Sequence, residues 1–251
     1  MTNPFLSVII PAFNEDDNLR RGTLDQVVGY LTAQKYTWEI ILVNDGSSDG
    51  TLARLGEFTK KHKHVQLIDN PHQGKALTVI TGALAAKGEI VLFSDLDQAT
   101  PINEATKVLH GFETGHDIVI GSRAGREGAP LFRKVLAYGN VLMRAVILNL
   151  PYRDTQCGFK ALRADAAKKI FTIMKSLRPS RTIDGPAVDP GFDVELLYLG
   201  RKLGYKIAEV SVDWHYQETR RVRFFYDAIS GLNGLLLVRW RSMIGAYGLH
   251  G

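Results

Sequence analysis

Asp95-Leu96-Asp97 puts two carboxylates one residue apart, directly after the apolar run Ile90–Phe93. If the backbone stays extended there, both carboxylates look to one side and Leu96 to the other. That pairing suits a hard divalent cation, which takes oxygen ligands and, for magnesium, usually keeps phosphates and water in its shell. The competing reading is a helix cap or turn. Other strand-like runs end in the same way. Pro11-Ala-Phe-Asn-Glu15 follows the first, Asn44-Asp-Gly-Ser-Ser-Asp-Gly50 the second, and Gly121-Ser-Arg123 the fifth. In open α/β sheets the ligand crevice lies beyond the carboxyl ends of the strands. Four polar strand ends, three of them acidic, favour a metal–diphosphate site over four independent caps.

The elements that must position these residues are legible in the first half of the chain. Apolar runs at Phe5–Ile10, Trp38–Val43, Val65–Ile68, Glu89–Phe93 and Asp117–Ile120 read as strands, most of them bounded by Gly, Pro, Asn or Asp. Helical patterns fill about 15–33, 50–61, 74–86 and 103–115 between them. Strands alternating with helices predict an α/β doubly wound domain with a parallel sheet covered on both faces. The second half is less regular. Helices are expected over 131–149, 164–176 and Gly191–Leu203, then a strand over Lys206–Val212 and a long amphipathic stretch from Arg223 to about Met243.

Composition narrows the class. The chain has 251 residues, 45% hydrophobic and 23% charged, which fits a globular protein rather than a disordered or polytopic one. The single cysteine, Cys157, has no internal partner, and no Cys/His spacing resembles a zinc site. The N-terminal stretch lacks a basic region, and its apolar run is broken by Pro11 and Asn14; neither a signal peptide nor an anchor is expected, so the protein is expected in the cytosol. No stretch reaches the roughly 18 uncharged residues of a membrane span. Residues 201–251 hold eight Lys/Arg against four acids, so four of the five net positive charges fall in the last fifth of the chain. Interleaved with Phe224, Phe225, Leu235, Leu236, Leu237 and Trp240, they could face nucleic acid or an anionic membrane, or form a solvated basic face. No nucleic-acid motif accompanies them, and nucleic acid is not an expected partner. The first strand lacks G-x-G-x-x-G. Gly74-Lys75 lacks the rest of a P-loop, and neither H-E-x-x-H nor G-x-S-x-G occurs. Dehydrogenase, P-loop NTPase, zincin and α/β-hydrolase are thereby excluded.

Taken together, Ser7-Val-Ile-Ile-Pro-Ala-Phe-Asn-Glu15, Val43-Asn-Asp-Gly-Ser-Ser-Asp-Gly-Thr51 and the D-x-D resemble the inverting glycosyltransferases of family 2, with a GT-A fold. Downstream, Asp154-Thr-Gln-Cys-Gly-Phe-Lys160 and Gly191-Phe-Asp-Val-Glu-Leu-Leu-Tyr198 resemble the branch that makes polyprenyl-phosphate sugars, the dolichyl-phosphate glucosyltransferases and their mannosyl relatives. The resemblance spans about residues 5–240. It implies a Rossmann-like mixed sheet with helices on both faces, a catalytic domain over 1–222, and an amphipathic, membrane-associating segment over 223–251. It also implies Pro11, Ala12 and Glu15 around the nucleoside, Asp45 on the base, and Asp95 and Asp97 on ribose, Mg²⁺ or Mn²⁺ and diphosphate. Arg123 would sit near the diphosphate or the acceptor phosphate, and Arg133 is a looser match for the same role. Two positions depart from the pattern. Gln98 follows the second aspartate at once, where mannosyl relatives space a glutamine two residues on. Arg221, after Val212-Asp-Trp214, stands where glucosyl relatives carry lysine, which keeps the charge but replaces a point charge by a planar fork.

The implied donor is a nucleotide sugar, UDP-glucose ahead of GDP-mannose, and the implied acceptor a polyprenyl phosphate at the cytosolic face of a membrane. A hydroxyl acceptor needs a general base, whereas a lipid phosphate is already anionic. Asp193 and Glu195 are therefore ambiguous: either acts as a base or positions a group, or both are acids favoured at a helix N-terminus. Two alternatives stand beside a polyprenyl-phosphate hexosyltransferase: a family 2 transferase acting on a sugar or glycolipid hydroxyl, and a catalytically silent nucleotide-sugar-binding protein. Cys157 and Gln156 are read as shaping the acceptor loop, and His62, His64 and His72 as surface residues.

Overall fold

The computed structural model describes residues 3–123, 131–179, 182–183, 189, 191–215 and 224–249. In chain order the elements are β1 (Leu6–Ala12), α1 (Asp16–Arg20), α2 (Thr23–Thr32), β2 (Trp38–Asp45), α3 (Thr51–Lys61), β3 (Val65–Asn70), α4 (Lys75–Ala85) and β4 (Ile90–Phe93). A 3₁₀ turn (Ile102–Glu104) leads into α5 (Ala105–Glu113), and then follow β5 (Ile118–Arg123), α6 (Leu131–Leu148), β6 (Lys160–Arg163), α7 (Ala164–Ser176), α8 (Phe192–Lys202), β7 (Ile207–Val212) and α9 (Phe224–Met243).

The strands form one sheet in the order β3-β2-β1-β4-β6-β5-β7. Every pairing is parallel except those of β6, which runs antiparallel to both β4 and β5. The expected parallel core is therefore present, but the sheet as a whole is mixed. Pro11 is tolerated in the central β1 because pairing with β4 ends at Ile9 and Phe93; its missing N–H forfeits no rung on that side.

Period-two alternation sends neighbouring strand residues into two separate cores. Val8, Ile10, Ile40 and Leu42 pack with Leu24 and Val27 of α2, Leu55 of α3 and Phe112 of α5. Ile9, Ile41, Val43 and Phe93 face the other way, against α4, α7 and α8. Leu235 and Val238 of α9 and Tyr247 beyond it are buried in this second core. The opposite face of α9 is exposed and apolar at Leu232, Leu236, Leu237, Trp240 and Met243, with Ile244 following. Leu142, Met143 and Val146 expose a similar face on α6, which packs beside α9. Among the described residues, no helix is long and apolar enough to cross a membrane.

Two local features differ from the periodicity. The helix expected over 15–33 is broken into α1 and α2 at Gly22, whose φ of 75° a side-chain-bearing residue rarely adopts. β6 was not expected, because four residues with Lys160 and Arg163 at their ends do not read as a buried strand.

Candidate functional site

The loops after β1 and β2 are fastened to each other. The Asn14 N–H donates to Ser47 Oγ at 3.0 Å, Ser48 N–H to Asn14 Oδ1 at 2.9 Å, and Glu15 N–H to Thr51 Oγ1 at 2.7 Å. This brings Pro11, Ala12, Glu15 and Asp45 to one corner of the sheet's carboxyl edge. Asp49, by contrast, is a cap: its carboxylate accepts the Thr51 N–H at 2.9 Å.

Asp45 is almost wholly buried and already committed. Its carboxylate accepts the Gln73 N–H at 2.8 Å, the Gly74 N–H at 2.9 Å and His72 Nδ1 at 2.8 Å. His72 Nδ1 also lies 3.0 Å from the Asp45 carbonyl; since both partners are acceptors, Nδ1 carries the proton. The His72 ring stacks on Phe13 with centroids 4.0 Å apart. His72 is therefore not the surface residue expected; Asp45 and Phe13 hold it at 11% side-chain exposure. Through these bonds Asp45 shapes the turn that starts α4, whose first residue, Lys75, pairs its ammonium with Asp95 Oδ1.

Asp95 and Asp97 follow β4, but Leu96 and Asp97 lie in a turn rather than on the extended backbone considered for the pair. Asp97 Oδ1 accepts the Ala99 N–H at 3.0 Å. Gln98, at φ 51°, donates its side-chain amide to the Asp95 carbonyl at 2.9 Å and so braces the turn. Glu15 reports the local charge: burial raises its pKa first, and the nearby Asp97 and Asp95 raise it further, against the hydrogen bond from Asn18 and the charge of Lys75. Among the described residues no group of three His, Cys, Asp or Glu is placed to hold a metal alone. Two carboxylates in an over-negative corner nevertheless fit a divalent cation whose other oxygens come from a diphosphate.

The segment 154–160 crosses the middle of this edge. A Cβ on Gly158 would stand 2.2 Å from Asp95 Oδ2, so any larger residue there would have to displace that carboxylate. At its start, Asp154 receives Arg123 in a two-pronged pair, Nε to Oδ2 at 2.6 Å and Nη2 to Oδ1 at 2.8 Å. Burial alone would raise the Asp154 pKa, but the Arg123 hydrogen bonds and charge hold it down to about 2. Arg123 is shifted up: burial opposes its charge, and Asp154 outweighs burial, with smaller help from Cys157 and Asp193. The Arg123 guanidinium lies 5.6 Å from the centre of the Trp214 ring. The Cys157 thiol is buried, and that burial pushes its pKa up, which makes it a packing group rather than a nucleophile.

The structure separates the two acids of α8. Asp193 Oδ1 accepts Lys160 Nζ at 2.6 Å and is partly exposed. Glu195 is only 1% exposed; it accepts Arg241 Nη1 at 2.7 Å and the Tyr247 hydroxyl at 2.9 Å, and pairs with Arg178 at 2.6 Å. Glu195 is a structural anion tying α8 to α9, so only Asp193 remains near the crevice. The side chain of Arg133, on α6, and the whole of Arg221 lie outside the described residues. Sequence reasoning assigned no role to Lys75, Asp154 or Lys160. The signal available for them was a glycine–lysine step before a helix and a lysine closing an otherwise apolar Cys-Gly-Phe-Lys run.

Mixed sheet, carboxyl-edge crevice and D-x-D turn define the GT-A architecture. Mannosyl-3-phosphoglycerate synthase from Rubrobacter xylanophilus superposes with a TM-score of 0.64 at 15% identity, over 96% of this chain and 75% of that one. Mannosyltransferase PcManGT from Pyrobaculum calidifontis, in complex with GDP-Man and Mn²⁺, gives 0.60 at 17% identity, over 97% and 65%. The family model "Glycosyl transferase family 2" matches residues 7–171. Dolichyl-phosphate beta-glucosyltransferase of Drosophila melanogaster is 33% identical across 96% of this chain and 76% of its own length. A Trichomonas vaginalis dolichyl-phosphate beta-glucosyltransferase is 32% identical across 87% and 68%. The chain belongs to glycosyltransferase family 2 and is a glycosyltransferase.

Proposed function

We propose that the chain is an inverting hexosyltransferase that moves glucose from UDP-glucose to a polyprenyl phosphate at the cytosolic face of a membrane. One observation carries this most directly: relatives named dolichyl-phosphate beta-glucosyltransferase are 30–34% identical over 84–98% of this chain. The crevice supplies the matching chemistry. A phosphate oxygen of the acceptor attacks C1 of the glucosyl unit while the C1–O bond to UDP breaks and UDP leaves with the electron pair. One in-line displacement turns an α-linked donor into a β product. A phosphate monoester, with a second pKa of about 6, arrives as its own nucleophile and requires no protein base.

The residues divide the work by position. Pro11, Ala12 and Glu15 border the nucleoside, and Asp45 sets the His72–Lys75 turn beneath it. Asp95 and Asp97 would hold Mg²⁺ or Mn²⁺, which when bound would stabilise charge on the departing diphosphate. Arg123, fixed by Asp154, faces the phosphates of donor or acceptor; Arg133 and Arg221 are assigned to the acceptor phosphate. Residues 223–251 serve as a membrane-facing segment appended to a catalytic domain over 1–222, with the exposed apolar faces of α6 and α9 lying in the leaflet beside the polyprenyl tail.

The test compares acceptors. Given radiolabelled UDP-glucose and Mg²⁺, the protein is expected to label polyprenyl phosphate and to leave polyprenol and soluble sugars unlabelled. Label entering a hydroxyl acceptor but not the phosphate would transfer the assignment to a hydroxyl-directed transferase.

A further inference from the structure

Lys160 has a side chain with no solvent exposure, an unusual place for an ammonium. It opens β6, at the rung opposite Phe93, the last residue of β4 before the D-x-D turn. Burying a charge is costly unless partners compensate it, so its partners indicate its purpose. Nζ donates to Asp193 Oδ1 at 2.6 Å and to the Cys157 carbonyl, and lies 5.5 Å from the centre of the Phe93 ring. These partners belong to three walls of the crevice: the first turn of α8, the segment that passes Asp95 at Gly158, and the end of β4. Replacing both members of such a pair by apolar side chains of similar volume is often neutral or stabilising, whereas removing one member is costly, so the pair as a whole adds little to stability. The retained charge therefore points to a demand other than packing.

We propose that Lys160 is a positioning residue for transfer, fixing Asp193 at the acceptor side of the crevice by an ion pair and removing it from service as a general base. The role rests on the lipid-phosphate assignment above and goes further, since it says how the only α8 acid at the crevice is used. Asp193 is held from behind by Lys160, with 28% of its side chain exposed, and lies within electrostatic reach of Arg123. It is thus a fixed acceptor for a donor-sugar hydroxyl or for the Arg123 side of the site, not a group waiting for a proton.

The test uses the full chain with UDP-glucose and polyprenyl phosphate. Lys160→Met is expected to lower kcat about tenfold or more while changing the KM for UDP-glucose less than about threefold. Asp193, being partly exposed, is expected to take up water in place of the ammonium, and the melting temperature of the variant checks that it folds. The double variant Lys160→Met/Asp193→Asn is expected to regain the melting temperature without regaining kcat; recovery of both would reduce the pair to a structural one. Asp193→Asn is expected to lose well under the 10²–10⁴-fold that removal of a general base costs, and to keep an acidic limb in kcat near pH 6, set by the acceptor phosphate. Loss of that limb together with a fall beyond 10²-fold would overturn the proposal and make Asp193 the base. Absence of lipid product from the unmodified protein would instead sink the lipid-phosphate assignment itself, and full activity in Lys160→Met would sink only the role of Lys160.

Discussion

Asp154 and Arg123 form the pair whose energetics are most open to measurement. A carboxyl held at about 2 instead of 3.8 corresponds to about 2 kcal/mol of stability at neutral pH. Because the folded-state pKa is depressed, that stability is present above about pH 4 and is lost as pH falls through about 2. Asp154→Asn is therefore expected to lower the unfolding free energy by about 2 kcal/mol at pH 7, with the gap to the unmodified protein closing between about pH 4 and pH 2 in urea titrations. At the D-x-D turn, Asp97→Ala is expected to cost about 10²–10³-fold in kcat while leaving the melting temperature within a few degrees. Gly158→Ala would push a methyl group into Asp95 and is expected to reduce transfer as severely, read in the same assay. Asp95 and Asp97 were legible because both lie in one short run after a strand. His72 and Lys160 were not, because their partners Asp45 and Asp193 are 27 and 33 residues away and only the fold brings them together.

Helices with strong period-3.6 patterning were legible as elements. α7 occupies the expected 164–176 because Ala166, Ala167, Ile170, Phe171 and Met174 make one buried stripe. β6 was invisible for the opposite reason: it is four residues long and carries a lysine whose burial depends on a distant aspartate. α9 combines two faces that sequence alone could not rank. Leu235 and Val238 seal the core beneath α8, while Leu236 and Trp240 are half-exposed on the other side. Replacing Leu236 and Trp240 together by serine is expected to weaken sedimentation with anionic vesicles by at least about tenfold. Donor hydrolysis in detergent should change little. Equal vesicle binding by this variant would remove α9 from the membrane contact.

Among the described residues the sheet is parallel but for the reversed strand β6, and the polar residues of the site gather along its carboxyl edge. The parallel core followed directly from alternating apolar runs and helices. Its mixed character came only with β6, which inserts between β4 and β5 and is preceded by the segment that passes Asp95 at Gly158. The loops after β1, β2 and β4 lie on one side of that edge and β5, β6 and α8 on the other; the proposed function makes the first the donor side and the second the acceptor side. Asp95 meets Gly158 where the two sides touch. That arrangement suits a single displacement between two anionic substrates, with cations on both sides and Asp193 already paired. The measurement that tests this most directly is the anomeric configuration of the lipid product formed from UDP-glucose, Mg²⁺ and polyprenyl phosphate, read by proton NMR. A β-glucosyl phosphate is predicted; an α product, or glucose attached anywhere but the lipid phosphate, would contradict the account.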